Sequence, residues 1–193
     1  MDAVKPLRVE ALTLREVREI YARRLIRDFP PDEQKPLSRI EAALRRGEYA
    51  CYGAKAGEDI LAYAFFVLDG RSALFDYYAV GASLRDRGIG SRFIQALMRG
   101  PLSQMDCVLL EVDDPDRAET PDEAALRRRR LAFYLRNGLS DTGVRATVFG
   151  VDFQVLALPV GSPVSREKAQ DLYAQLYRII LPPESYSKWV KVL

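Results

Sequence analysis

The sequence predicts an α/β protein in which helices and strands follow one another along a single folded domain. Residues 73–80 form a strand-like run that passes through two glycines into an apolar helical run. A later helical run, residues 122–137, ends at Asn-Gly, which is a common helix stop, and strand-like runs follow it. Apolar residues make up 48% of the 193 residues, which is enough for a substantial core.

The elements of the first part of the chain follow from residue spacing. Residues 7–12 are typical of a strand, and Thr13 predicts a helix N-cap, with Glu16 completing a capping box. Apolar residues then keep helical spacing as far as a pair of prolines. A second, shorter helix is expected at residues 37–46, where Gly47 ends it.

The middle of the chain is rich in strands. Gly57 predicts a turn between two of them, and Asp69-Gly70 predicts a hairpin turn into the strand that leads to the glycines. The helix after the glycines ends near Gly100. The predicted strands here are residues 49–55, 60–68, 73–80 and 107–112.

The last part of the chain adds a loop, a helix and a strand pair. The loop covers residues 113–121, and the strand pair after the helix covers residues 144–149 and 153–158. Ser165 then predicts the N-cap of a further amphipathic helix. We expect one domain over residues 1–160. We expect residues 161–193 to be a helical extension, packed on that domain or placed at a homodimer interface.

The junction between the strand and the glycine-initiated helix carries the clearest chemical signal. It reads Arg85-Asp86-Arg87-Gly88-Ile89-Gly90 and continues with Ser91. Glycines let a ligand approach the backbone closely, and a helix N-terminus offers unpaired N–H groups to a phosphate. The residues required for a Walker loop or a Rossmann fingerprint are missing. The segment therefore predicts a site for an anionic, phosphorylated cofactor of another class.

Two segments in this order resemble the motifs of the GNAT superfamily of acetyltransferases. The first is R-x-x-G-x-G at residues 85–90, preceded by Tyr78-Ala79-Val80. The second is Phe133-Tyr134 on a helix that ends at Asn137-Gly138. The resemblance covers roughly residues 7–158. It implies a central mixed, mostly antiparallel twisted sheet of about seven strands flanked by helices, and acetyl-CoA as cosubstrate, held by residues 85–91.

The same resemblance implies roles for single residues in direct acetyl transfer. The main-chain N–H groups of Tyr78, Ala79 and Val80 would stabilise the oxyanion, and Tyr134 would protonate the departing thiolate. For the base, the family uses a position four or six residues before Val80. The residue six positions before Val80 is Leu74, which cannot accept a proton, so Asp76, four positions before Val80, is the candidate. Strand alternation predicts that Asp76 shares a face with Tyr78. Glu111 and a water chain remain alternatives.

Composition excludes several other classes of function. A net charge of +2 gives no general attraction to nucleic acid or to anionic membranes. The chain shows neither a transmembrane run nor a signal peptide, and Cys51 and Cys107 suggest neither a disulfide framework nor a metal site, so a cytoplasmic location is expected. The absence of histidine excludes an imidazole base and most catalytic zinc sites, and no metal is predicted.

Two charged segments bear on the acceptor. Residues 111–123 contain seven acids, which would attract a cationic acceptor such as a polyamine, although a solvated loop is the simpler interpretation. Residues 127–130 are four arginines, some of which are expected to pair with Asp122 and Glu123. The sequence thus predicts an N-acetyltransferase acting on a primary amine of a small molecule or peptide. The alternative is a catalytically silent module that binds acyl-CoA as a sensor or scaffold.

Overall fold

A computed structural model describes residues 7–31 and 33–193. Within these residues the strands are β1 (Arg8–Ala11), β2 (Tyr49–Ala56), β3 (Asp59–Asp69), β4 (Ser72–Val80), β5 (Cys107–Asp113), β6 (Ser140–Val148), β7 (Val151–Ala157) and β8 (Val190–Val192). They form one sheet in the order β1-β2-β3-β4-β5-β7-β6-β8. β4 and β5 pair in parallel, whereas β1–β2, β2–β3, β5–β7, β6–β7 and β6–β8 are antiparallel. The predicted mixed, mostly antiparallel sheet flanked by helices is confirmed.

The helices are α1 (Leu14–Ile20), α2 (Ile26–Asp28), α3 (Leu37–Arg46), α4 (Ile89–Arg99), α5 (Pro121–Arg136), α6 (Arg166–Ile180) and α7 (Pro183–Trp189). The predicted capping box is present, because Glu16 N donates to Thr13 Oγ1 at 3.3 Å and Thr13 N donates to Glu16 Oε2 at 2.8 Å. The helix that follows is not continuous: a π-helical turn, Tyr21–Leu25, separates α1 from α2. None of the helices in the described residues is long and apolar enough to cross a membrane.

Contacts divide the chain into two compact units. The first contains Met1–Leu68 and Asp76–Ser103, and so holds β1 to β3, α1 to α4 and the end of β4. Its core side chains are fully buried and include Val17, Leu25, Phe65 and Phe93. These residues come from helices and strands alike, so apolar faces of both kinds of element meet in this core.

The second unit contains Asp69–Phe75 and Gln104–Leu193. Leu109, Val155 and Tyr173 are fully buried in its core. The predicted C-terminal helix is present as α6, which packs on β6. The chain then adds β8, which pairs with β6 and raises the strand number from about seven to eight. β8 has three residues, too few to produce a recognisable alternation in the sequence.

The β6–β7 hairpin differs in its bounds from the predicted strand pair. β6 begins at Ser140 because a bulge, marked by a register shift between Asp141 and Arg145, lets the strand continue through a glycine. The turn consists of Phe149 and Gly150, both at positive φ (49° and 86°). Such a two-residue turn fits the twist of a hairpin, so the strands run to either side of it.

Candidate functional site

The junction between β4 and α4 leaves a helix N-terminus open. Gly88 is the N-cap of α4 and lies in the left-handed region, with φ at 72°. It has no side chain with which to accept the first N–H groups of the helix, which have no partners within the helix itself. A Cβ placed on Gly88 would meet no atom within 4 Å. The space in front of the helix dipole is therefore available to an anion.

The arginines of the same junction are exposed beside this opening. Arg85 is 58% exposed; its Nε donates to Val80 O at 3.4 Å, and its Nη2 lies 3.9 Å from Asp28 Oδ1. Arg87 is also exposed, whereas Ile89 and Gly90 are buried in the first turn of α4. Guanidinium groups and open N–H groups suit the oxygens of a pyrophosphate, so these residues could hold a phosphorylated ligand.

Tyr78 fixes the end of β4 against α4. Its hydroxyl donates to Gly90 O at 2.7 Å, and its ring stacks on Phe93 with centroids 5.7 Å apart. The parallel pairing of β4 with β5 ends at Leu74, whereas β4 itself continues to Val80. The backbone of Tyr78, Ala79 and Val80 therefore lies beyond that pairing, and residues 81–88 connect it to α4.

Asp76 is a nearly buried carboxylate with two donors. Its side chain is 4% exposed, and Lys35 Nζ lies 2.5 Å from Asp76 Oδ1. The hydroxyl of Tyr49 donates to the other oxygen. Burial, followed by the negative charge of Asp76, raises the pKa of Tyr49 well above its usual value, so Tyr49 remains a donor at neutral pH. Asp76 thus accepts hydrogen bonds from the Lys35 amine and from the Tyr49 phenol.

The chain between α2 and α3 is anchored on β4 next to this carboxylate. Lys35 N donates to Tyr77 Oη at 2.8 Å, and Tyr77 in turn donates to Glu33 O at 2.9 Å. Asp76 and Tyr77 are neighbours, yet both contact this segment, whereas Tyr78 contacts α4. The burial of β4 alternates here, with Phe75, Tyr77 and Ala79 buried and Asp76, Tyr78 and Val80 less so, although the side chains of Asp76 and Tyr78 contact different elements.

A second network lies near the π-helical turn. Arg24 Nη1 donates to Ile60 O at 2.7 Å, and its guanidinium lies 4.8 Å from the ring centre of Tyr63. The Tyr63 hydroxyl donates to Asp28 Oδ2 at 2.9 Å. Asp28 is the carboxylate that faces Arg85. A helix of the first unit is thereby connected to an arginine of the glycine junction.

Glu111, the alternative base, is engaged by the C-terminal helix. The hydroxyls of Tyr173 and Tyr177 both donate to Glu111 Oε1, the latter at 2.6 Å. Burial and the charge of Glu111 raise the pKa of Tyr173 well above its usual value, so this phenol also stays protonated. The carboxylate of Glu111 therefore anchors α6 on β5.

Tyr134 lies on α5 in the second unit, where the sequence predicted a helix. Its ring makes an edge contact with Phe133 at 5.2 Å. Burial raises its pKa to about 12; Arg130 acts in the opposite direction, and Asp113 raises it further. Arg130 and Asp113 are themselves paired at 2.7 Å. The phenol is accordingly a proton donor at every ordinary pH.

Carboxylates of the acidic segment, residues 111–123, pair with arginines of the second unit. Arg127 pairs with Glu123 at 2.6 Å, as the sequence predicted, and also donates to Asp114 O at 2.8 Å. Gln154 donates to the nearly buried Asp114 carboxylate at 2.9 Å. These contacts fix the loop before α5 and leave fewer free carboxylates for a cationic acceptor than the sequence suggested.

Lys35 and Tyr49 are the site residues that the sequence did not indicate. Lys35 is a single cation in a proline-rich connection, and Tyr49 begins an aromatic strand typical of a core. Neither carries a local signal for contact with Asp76, because they lie 41 and 27 residues away along the chain.

Comparison with solved structures relates the fold to acetyltransferases. A protein of Bacteroides thetaiotaomicron assigned to the GNAT family aligns at a TM-score of 0.70 with 17% identity, over 90% of this chain and 97% of that one. The ribosomal-protein-S18-alanine N-acetyltransferase of Escherichia coli aligns at 0.60 with 16% identity, over 82% and 97%. A Bacillus subtilis acetyltransferase in complex with CoA aligns at 0.52 with 16% identity, over 79% and 98%.

The sequence itself gives the family. No curated protein matches the chain significantly. The model of the acetyltransferase (GNAT) family, however, matches residues 14–121, a span that contains β4, the glycine junction and α4. Since this match covers more than half of the chain, the protein belongs to the GNAT family of acetyltransferases.

Proposed function

We propose that this protein is an N-acetyltransferase that transfers the acetyl group of acetyl-CoA directly to a primary amine of a small molecule or peptide. The observation that carries the proposal is the open N-terminus of α4 behind Gly88, flanked by exposed arginines. Family membership supports it. Two free, buried cysteines, Cys51 and Cys107, agree with work in a reducing compartment such as the cytoplasm.

The cosubstrate site in this proposal consists of residues 85–91. Gly88 and Gly90 admit the pyrophosphate to the N–H groups of α4, and Arg85 and Arg87 add charge. Acetyl-CoA supplies an activated acetyl group as a thioester. The N–H groups of Tyr78, Ala79 and Val80 would donate hydrogen bonds to the developing oxyanion, because β4 continues past its pairing with β5. Tyr134 would give its proton to the departing thiolate, a role that its protonated state supports.

Asp76 remains our candidate for the general base. Its Oδ1 accepts a hydrogen bond from Lys35 Nζ, which is the geometry that abstraction of a proton from an amine requires. Glu111, whose Oε1 accepts hydrogen bonds from the hydroxyls of Tyr173 and Tyr177, remains the alternative. We also propose that residues 161–193 are an extension of the catalytic domain, since α6 packs on β6 and β8 pairs with it.

Gly88→Val should abolish the binding of CoA. The added side chain would stand in the open space before α4, where the pyrophosphate is expected. The measurement is the rise in melting temperature on adding CoA, which reflects a free energy of about 2.7 kcal/mol at a concentration 100 times Kd.

Gly47→Val is the matched control for this experiment. Gly47 has φ at 73°, against 72° for Gly88, and a Cβ there also meets no atom within 4 Å. The two variants therefore share the same backbone strain, and only Gly88→Val obstructs the helix N-terminus. A CoA-dependent shift that persists in Gly88→Val would remove the basis of the cosubstrate site.

Asp76→Asn should lower the rate of transfer most at low pH and less as the pH rises. The amide keeps the shape but accepts no proton, and a rising pH deprotonates more of the acceptor amine without help. The measurement is kcat/KM against pH, beside Glu111→Gln. If the pH-recoverable defect belongs to Glu111→Gln, our assignment is wrong. A defect independent of pH and confined to KM would mean that Asp76 binds the acceptor's charge.

A further inference from the structure

The carboxylate proposed as the base already holds an amine that belongs to the protein. A base must lie within hydrogen-bond reach of the ammonium that it deprotonates, and Lys35 Nζ is 2.5 Å from Asp76 Oδ1. Lys35 thus occupies the position that an acceptor amine would need. We propose that Lys35 is itself an acceptor, acetylated by this protein. The inference rests on the proposed function and adds a modification site to it.

The contacts of Lys35 fix its backbone while leaving its amine partly accessible. Lys35 N donates to Tyr77 Oη at 2.8 Å, and Lys35 O accepts from the Tyr21 hydroxyl at 3.0 Å. The side chain is 18% exposed, compared with 4% for Asp76. Because the backbone is fixed, the amine stays near Asp76. The flexible four-carbon side chain still allows the amine to rotate away from the carboxylate.

The distance along β4 is compatible with transfer. Asp76 precedes Tyr78, the first proposed oxyanion donor, by two residues, which is about 7 Å at the rise of a strand. Lys35 Nζ also lies 5.3 Å from the ring centre of Tyr77, between those two residues in the sequence. Rotation of the lysine side chain about its own stem covers a distance of this size.

The reaction balances without a further reactant. The ammonium of Lys35 gives one proton to the Asp76 carboxylate, and the freed lone pair forms the bond from Nζ to the thioester carbonyl carbon. The carbon–sulfur bond then breaks, and the sulfur takes one proton, for which Tyr134 is the proposed donor. A second proton leaves Nζ for solvent, and proton exchange through solvent moves the proton from Asp76 to the Tyr134 phenolate, which restores both groups. The products are N-acetyl-lysine, CoA and one proton.

Acetylation of Lys35 would also change the contacts of Asp76. The amide of acetyl-lysine is neutral, so the ion pair with Asp76 would be lost, while the hydroxyl of Tyr49 would remain on the carboxylate. Asp76 would then be free to accept the ammonium of an external amine.

The test is to incubate the full-length protein with acetyl-CoA and to follow acetylation at each lysine by peptide mass spectrometry. Lys55 is the matched internal control. Its Nζ lies 2.5 Å from Glu16 Oε1 and 3.6 Å from Glu10 Oε2, and its side chain is 12% exposed, so it too is a paired and partly accessible lysine. We expect Lys35 to be acetylated at least about tenfold faster than Lys55. This expectation is lower than the 10²–10⁴-fold acceleration typical of general acid–base catalysis.

Variants separate an enzymatic reaction from a chemical one. Asp76→Asn and Tyr134→Phe should each slow acetylation of Lys35 and leave the slow reaction at Lys55 unchanged. Equal rates at the two lysines, or no acetyl group on Lys35, would overturn the inference. The fate of the proposed function is read separately, as thiol release by Lys35→Gln with external amines, since the neutral glutamine leaves the carboxylate of Asp76 without the ion pair. If the variant acetylates external amines but the wild type carries no acetyl group on Lys35, the inference is wrong and the proposed function stands. If Lys35 is acetylated but no external amine is, the proposed transfer to a free amine is wrong and the inference stands.

Discussion

Tyr134→Phe is expected to lower turnover by about 10²–10⁴-fold, the range typical of a lost general acid, while CoA binding persists. Only the hydroxyl is removed, and the ring contact with Phe133 is retained. The measurement is thiol release from acetyl-CoA across a panel of amines, together with the CoA-dependent melting shift. Tyr52→Phe, which removes a hydroxyl from another half-buried tyrosine, should leave turnover unchanged.

Normal turnover in Tyr134→Phe would mean that the tyrosine serves only packing. Tight CoA binding by the wild type with no turnover of any amine would instead favour the alternative of a CoA-binding sensor. The pKa of about 12 adds a condition on pH. Because ionisation of Tyr134 removes its proton only near that value, the wild-type kcat should show no alkaline loss centred near pH 10, where an unshifted tyrosine ionises.

Gly161→Ala is expected to have the largest effect on stability. Gly161 has φ at 65°, and a Cβ built there would lie 2.5 Å from Asp106 O and 3.0 Å from its carbonyl carbon. The backbone of Asp106 has little freedom to move, because its N–H donates to Arg71 O at 2.7 Å. Left-handed strain of about 1–2 kcal/mol and overpacking of about 1–3 kcal/mol together give a cost of about 2–5 kcal/mol.

The control for this variant is Gly150→Ala, which carries the strain without the clash. Gly150 has φ at 86°, and a Cβ there meets no atom within 4 Å. We expect Gly150→Ala to cost only the strain, about 1–2 kcal/mol. Chemical denaturation of both variants beside the wild type measures the difference. Equal losses would show that the backbone of Asp106 yields to the added methyl group.

Local patterns were sufficient for much of the fold. The capping box at Thr13, the bounds of α3 and the stop at Gly47 follow from residues that interact within three or four positions of one another. The conformation of Gly88 is also local, because glycine adopts a left-handed conformation at little steric cost. The hairpin at β6 was less readable, since a bulge lets a strand pass through residues that resemble a turn.

The sequence by itself determined the α/β class, the family motifs and the position of the glycine junction, because each depends on neighbours that are close along the chain. Only the tertiary structure decided what the two candidate bases contact. Asp76 meets a lysine 41 residues away, and Glu111 meets tyrosines 62 and 66 residues away. Such contacts arise from the way buried faces pack together, and residue spacing along one element carries no information about the partner that another element brings to it.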